Sequence, residues 1–337
     1  VIRGEVRPRR VHFCELLFDE ESLASLSEHL GLSWIPFSTE TREQYWRTTI
    51  SVWHRLGYDY VRISRGMAFP SLKRAPAAGF SAGSRDWVEE GQGIIRNRDD
   101  FENYPWPEVD WHRYEFVSRN LPDGMQMMVS PCAGVFETVT ERLLGFEGMS
   151  YLLADDPGLV EAVFQRVGET FESFYRQAVE LDNVGGFFQG DDFGYRSSLL
   201  ASPSFLRRFV LPWHAKYARI ARAGGKLYFL HSCGNLAGIM DDLIEEVGID
   251  GLHSFQDEVC PVAEFCRRYG ERVAALGGVD MDRLARLPED RLRAYVREIL
   301  DSCMPGRFAL GTGNSVARYV PVPNFLAMLD EGRRWRG

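Results

Sequence analysis

Short apolar runs recur along this chain, each followed by a stretch with helical spacing, and that alternation constrains the fold more than any other feature. The runs are Tyr58–Ile63, Met125–Val129, Val184–Phe188, Lys226–Leu230, Asp250–Phe255, Val273–Leu276 and Arg307–Leu310. Helical patterning follows several of them closely: through Arg142 after the second, from Pro203 to Ala223 after the third, and up to Val247 after the fourth. Strands joined through helices must run parallel, with the helices outside the sheet. An excursion from Phe80 to Asn120, rich in Gly, Trp, Pro and charge and containing Tyr104-Pro105-Trp106-Pro107, has room for an eighth strand. No early Gly-x-Gly-x-x-Gly turn is present to seed the dinucleotide site of an open doubly wound sheet. The expected fold is therefore an α/β chain closed as a (β/α)8 TIM barrel. It carries N-terminal helices at Glu20–Leu30 and Thr41–Leu56 and a long inserted loop. A single domain over residues 1–337 is expected, the helical extension 1–57 included.

Composition excludes several function classes. Of the 337 residues, 45% are hydrophobic and 26% charged, enough apolar material for one large core. The formal charge of -9 repels nucleic acid and acidic membranes, and the basic patches Arg7–Arg10 and Arg333–Arg336 sit at the two ends. No stretch approaches the roughly 20 apolar residues that span a bilayer. The start, Val-Ile-Arg-Gly-Glu, lacks the apolar core of a signal peptide, and a processed or trimmed terminus is expected. Six cysteines (Cys14, Cys132, Cys233, Cys260, Cys266, Cys303) are too scattered for a disulfide framework, which points to a reducing, cytoplasmic setting.

In a parallel barrel the chemistry gathers where the strands' C-terminal ends emerge. Polar and glycine residues cluster at those positions here: Gln189, Gly190, Asp191 and Asp192 after the third run, His231, Ser232 and Cys233 after the fourth, and His253, Gln256 and Asp257 at the fifth. Gly277, Gly278 and Asp280 follow the sixth, and Thr312 and Asn314 the seventh. His231-Ser232-Cys233 is the most informative of these. An imidazole and a thiol one residue apart can turn toward a single ion in a tight turn, and zinc suits that pair; a core histidine beside a small buried cysteine is the alternative. Asp191 and Asp192 suit a general acid or base, a metal ligand, or an anchor for substrate, while capping a helix is the other role open to them. Cys132 and the pair Met127-Met128 fit core packing.

The run His231-Ser232-Cys233-Gly234-Asn235 follows a Gly-Lys-x-x-Phe-Leu strand and precedes a helix ending in Leu-Ile-Glu-Glu-x-Gly-Ile-Asp (Leu243–Asp250). Downstream stand Gly277-Gly278-Val279-Asp280, then Leu310-Gly311-Thr312-Gly313-Asn314, then Pro323-Asn324-Phe325-Leu326-Ala327-Met328. Together these resemble the uroporphyrinogen decarboxylase superfamily, most closely its methyltransferase-like branch of methylcobalamin:coenzyme M methyltransferases and demethylase components. The Tyr-Pro-Trp-Pro insert and the segment from Glu137 through Gly148 resemble that branch too. Departures narrow the implication. No arginine-rich N-terminal motif is present, the Gly-His-Gly of true decarboxylases is Gly311-Thr312-Gly313, their tyrosine appears as Glu141, and Arg62–Gly66 shows no match to their essential aspartate. Porphyrinogen decarboxylation is therefore not expected.

The thiol-methylating members hold zinc with a His-x-Cys pair and a late cysteine. The resemblance thus implies His231 and Cys233 as metal ligands, with the late position falling near Asn314, which is no cysteine. Asp191, Asp192 or Glu141 would supply the third ligand; Cys303, on a predicted helix, is a poor substitute. The expected function is methyl transfer between a small methylated compound and a corrinoid protein or thiol, with zinc assisting. Asp191, Asp192 and Glu141 are the candidate catalytic groups, and Gln189, His253, Gln256, Thr312 and Asn314 the candidate substrate contacts. The rival readings are a metal-independent decarboxylase or lyase acting on a small carboxylate, and a non-catalytic partner of a corrinoid protein. A homodimer is compatible with all three.

Overall fold

In the computed structural model, which describes residues 1–72, 91 and 93–336, seven parallel strands form one sheet in strict chain order. They are β1 (Tyr60–Ile63), β2 (Gln126–Val129), β3 (Val184–Gly190), β4 (Leu227–His231), β5 (Gly251–His253), β6 (Ala274–Leu276) and β7 (Phe308–Ala309). All seven apolar runs are strands. Their residues are buried on both faces, Val61, Phe187, Leu230 and Ala275 completely, as expected of a parallel sheet with helices outside and a packed interior. One hydrophobic cluster joins these strands to the surrounding helices. The fold is TIM-barrel-like.

Seven strands stand among the described residues, and an eighth is not among them. Residues 80–90 and 92 of the excursion lie outside the described residues. Its remainder carries short helices at Arg98–Glu102 and Trp111–Arg119, with Trp106 packed edge-on to Phe69, Phe101 and Tyr104. The edge of β7 is met instead from the N-terminal side. Phe13 bridges Leu310 in parallel, with the Cys14 N–H donating to the Leu310 carbonyl at 2.9 Å. On the other side of this segment, Tyr60 of β1 accepts from the Glu15 N–H at 2.9 Å and donates to the Glu15 carbonyl at 2.6 Å. A side chain, rather than a backbone ladder, thus links the first strand to the segment beside the last. Gly311 permits the approach: a Cβ there would lie 1.7 Å from the Cys14 carbonyl oxygen.

The helices depart from the expected pattern in informative places. The stretch Pro203–Ala223 is two helices, Pro203–Phe209 and Leu211–Ala223, because Pro212 has no N–H and its ring forbids a continuous turn. Wide π turns occupy Thr138–Leu143 and Asp242–Val247, behind β2 and β4; such turns tend to accompany functional sites. No helix among the described residues is long and apolar enough to cross a membrane.

Candidate metal centre

Register assembles the site. β3 and β4 pair Gly190 with His231, and β4 and β5 pair His231 with His253, so three strands end side by side. Asp191 and Asp192 follow Gly190 directly, and the ladder continues past the strands through Asp191 N–H to the His231 carbonyl (2.9 Å) and Ser232 N–H to the His253 carbonyl (2.7 Å). The chain then turns so that Asp192 Oδ1 accepts from the Cys233 N–H at 2.8 Å. One ligand atom each from Asp192, His231 and Cys233 lies within 4.8 Å of the others. His231 Nε2 is 3.5 Å from Cys233 Sγ and 3.6 Å from Asp192 Oδ1.

Hydrogen bonding decides which imidazole nitrogen faces this group. His253 Nε2 lies 3.0 Å from the Thr312 carbonyl, which can only accept, so Nε2 carries the proton. Burial holds His253 well below its ordinary pKa, so the ring is neutral and its Nδ1 is an acceptor. His231 Nδ1, 2.7 Å away, must donate to it. His231 is neutral as well, since burial, with Arg62 adding repulsion, pushes its pKa down to about 3. Its Nε2 is left with a lone pair aimed at Cys233 and Asp192. A ligand imidazole anchored through its other nitrogen is the usual arrangement in metal sites. Gly277, at φ +91°, makes room for the relay, because a Cβ there would press within 2.9 Å of the His253 ring.

The donor set fits zinc. Imidazole, thiol and carboxylate are the three ligand types zinc takes, and three protein ligands leave one position open, as in catalytic sites. Burial, followed by the charge of Asp192, pushes the Cys233 thiol up to about 12, so a cation is what would convert it to thiolate at neutral pH. The expected late-cysteine position does reach this group: Asn314 Nδ2 donates to Cys233 Sγ at 3.3 Å. Asn314 therefore touches the Cys233 thiol.

Other sequence candidates fall behind the rim. Asp191 is fully buried: its carboxylate accepts from the N–H groups of Phe136 (3.0 Å) and Glu137 (2.9 Å), and His214 Nε2 lies 2.8 Å away. It caps the helical segment that begins at Val135 and is not part of the metal group. Gly134 makes this possible, since a Cβ there would lie 2.0 Å from Asp191 Cγ. Gln189, His253 and Thr312 were expected to touch substrate, but all three are fully buried. Gln189 donates to the carbonyls of Cys132 (3.1 Å) and Gly190 (2.8 Å) and accepts from Tyr175 (2.6 Å). Thr312 is bound to the Glu15 carboxyl through its N–H and its hydroxyl. Gln256 and Glu141 are exposed, the first on the turn after β5 and the second on the π turn.

Three residues not singled out in the sequence matter here. Glu137 neighbours Asp192, Asp191 and Glu141; burial first, then the charges of these carboxylates, push its pKa well above the ordinary carboxylate value. Glu15 is fully buried in contact with Thr312 and Tyr58, and burial raises its pKa to about 8. Arg62 projects from β1 toward Phe188 of β3. A lone Glu in the apolar run Val11–Phe18 and a lone Arg in Tyr-Val-Arg-Ile were the available signals. A cavity of about 520 Å³ lies between the segments after β3 and β4, lined by Leu199, Leu200, Pro203, Asn235 and Gly238 and by none of Asp192, His231 and Cys233.

Comparison with known proteins agrees with this fold. The uroporphyrinogen decarboxylase (URO-D) family model matches residues 123–335, more than half of the chain. The chain belongs to the URO-D family. Among solved structures it is similar to a methyltransferase from Methanosarcina mazei, with a TM-score of 0.71 and 17% identity, covering 98% of this chain and 95% of that one. A putative vitamin-B12-independent methionine synthase from Listeria monocytogenes is similar at a TM-score of 0.56 and 11% identity, with 98% of each chain covered. At these identities the likeness is one of fold. A search of curated proteins finds no match.

Proposed function

We propose that the protein is a methyl-transferring enzyme that moves a methyl group between a small methylated compound and a corrinoid protein or thiol, with a zinc ion held by Asp192, His231 and Cys233. The observation that carries this reading is the convergence of those three ligand atoms, with His231 Nε2 stripped of its proton by the relay to His253 and Thr312. Zinc bound there would supply Lewis acidity, lowering a thiol's pKa or polarising a substrate heteroatom. The chain's own groups do the rest. His253 orients His231, and Asn314 donates to the Cys233 sulfur. Asp192, with an oxygen in place of the family's second thiolate, makes the site harder and more tolerant of other divalent ions.

The test has two parts. Zinc titration of metal-free protein should give a site that the His231→Ala/Cys233→Ser double variant lacks; equal, weak binding by both forms removes the metal. Zinc-loaded protein given methylcobalamin and 2-mercaptoethanol should then bleach the methylcobalamin absorbance, at a rate dependent on Cys233. The second reading, a metal-independent lyase or decarboxylase acting on a small carboxylate, draws support from Glu137, whose raised pKa suits a carboxyl to hold and deliver a proton beside Asp192. Turnover that survives chelation would favour it.

A further inference from the structure

One ring away from His253 lies a guanidinium that no carboxylate among the described residues pairs with. Arg62 sends Nε and Nη2 to the Phe188 carbonyl at 3.2 and 3.0 Å, and Nη2 to Ser130 Oγ at 3.1 Å. Its Nη1 has only a long contact, 3.4 Å from Ser64 Oγ. Every one of these partners is a neutral oxygen. The ionisable groups that bear on Arg62 most strongly are Tyr60, Arg65, Tyr114 and Tyr175, none of them a carboxylate. Burial lowers its pKa to about 10, so at neutral pH the guanidinium is still charged. Carbonyls and hydroxyls satisfy its hydrogens without balancing its charge, and an unbalanced charge at depth is costly unless something arrives to pair with it.

Its position ties it to the metal group. The Arg62 Cζ lies 5.6 Å from the centroid of Phe188, and the same ring meets His253 edge-on at 5.8 Å. His253 in turn holds His231. Arg62 keeps a little exposure and has a guanidinium edge only loosely engaged. We propose that Arg62 is the receptor for an anionic group of the substrate, so that the substrate is a small molecule carrying a carboxylate or similar oxyanion besides the group that reacts. A guanidinium presents paired N–H groups in the spacing of two carboxylate oxygens, which suits it to this task. The proposal rests on the strand exits of β3 and β4 being the active site, as argued above, but not on a metal being bound there.

The probes are methoxyacetate and its neutral counterpart 2-methoxyacetamide, which match in shape and differ in charge. They are titrated into metal-free, full-length protein in chloride-free buffer, with binding read by NMR shifts and by the rise in unfolding temperature that a ligand selective for the folded state produces. Wild-type protein should bind the anion at least tenfold more tightly than the amide. Arg62→Met should abolish that preference and Arg62→Lys should keep part of it. If Arg62→Met does not fold, the wild-type comparison and the Lys variant decide. Equal or undetectable binding of the two probes by wild-type protein, or an undiminished preference in a folded Arg62→Met variant, overturns the proposal. Zinc titration of the same samples separates the two readings: zinc binding without anion preference removes only the role of Arg62, and anion preference without zinc binding removes only the metal.

Discussion

His231 and His253 stand in register on neighbouring strands and touch through their Nδ1 atoms at 2.7 Å, so the second histidine sets which nitrogen the first can offer. Replacing His253 with Leu removes the acceptor and frees His231 to turn or to change tautomer. Zinc affinity should fall by about 10–100-fold, the usual effect of losing a group that orients a ligand. The ¹⁵N shifts of metal-free wild-type protein should show His231 protonated at Nδ1. A proton on Nε2 instead would break the relay as described.

Asn314→Cys should strengthen the metal site. The Asn314 amide already reaches the Cys233 sulfur at 3.3 Å, so a thiol at this position would enter the ligand group, and thiolate is a softer partner for zinc than carboxylate. Competition against a chromophoric chelator should show at least a tenfold gain in affinity. In this background Asp192→Ala should be tolerated, whereas in the native protein it should cost most of the binding.

Glu15 should make stability depend on pH. Its carboxyl is raised to about 8 from an ordinary 4.5 by burial. The single Thr312 hydroxyl proton cannot serve both Glu15 and the Asn314 carbonyl, and a protonated Glu15 resolves this by donating to Thr312. The folded state holds a proton that the unfolded state has released. The contribution is therefore complete below the unfolded value and is lost as pH rises through the folded one, a total on the order of a few kcal/mol. Glu15→Gln keeps the shape and the donor, so denaturant unfolding from pH 5 to 9 should lose this slope and the variant should be the more stable form at alkaline pH.

Uroporphyrinogen should not be decarboxylated. The position where the superfamily's decarboxylases carry a histidine is Thr312, which is fully buried and bound to Glu15, and their tyrosine is the exposed Glu141. Chromatography of reaction mixtures should show no coproporphyrinogen above the uncatalysed background.

All seven strands were legible because a parallel strand is apolar on both faces and leaves a continuous run, and His231 and Cys233 because an exit turn exposes its residues in order. What stayed hidden depends on contacts between distant segments. Asp191 and Asp192 are indistinguishable as neighbours in the chain, yet one turns inward to cap the segment at Val135 and the other outward to the thiol. Thr312 and Gln189 stand at strand ends, as expected, but their side chains point to buried partners that no spacing rule reveals. Glu15 lies in an apolar run before the first helix, and only the pairing of that run with Leu310 carries it inside. The N-terminal segment beside β7 stayed hidden for a related reason, since it bridges the edge strand too briefly to show a strand's periodicity.

The three ligand atoms come from only two consecutive strand exits, β3 and β4, while Arg62, Glu15 and Asn314 belong to the first and last parts of the chain. Mutations around β1 can thus accumulate without replacing Asp192, His231 or Cys233, whereas Asn314 and the Thr312 carbonyl tie the end of β7 to Cys233 and His253. A lineage built on this scaffold is free to exchange one small molecule for another at one side of the barrel mouth while inheriting its ion-holding corner unchanged.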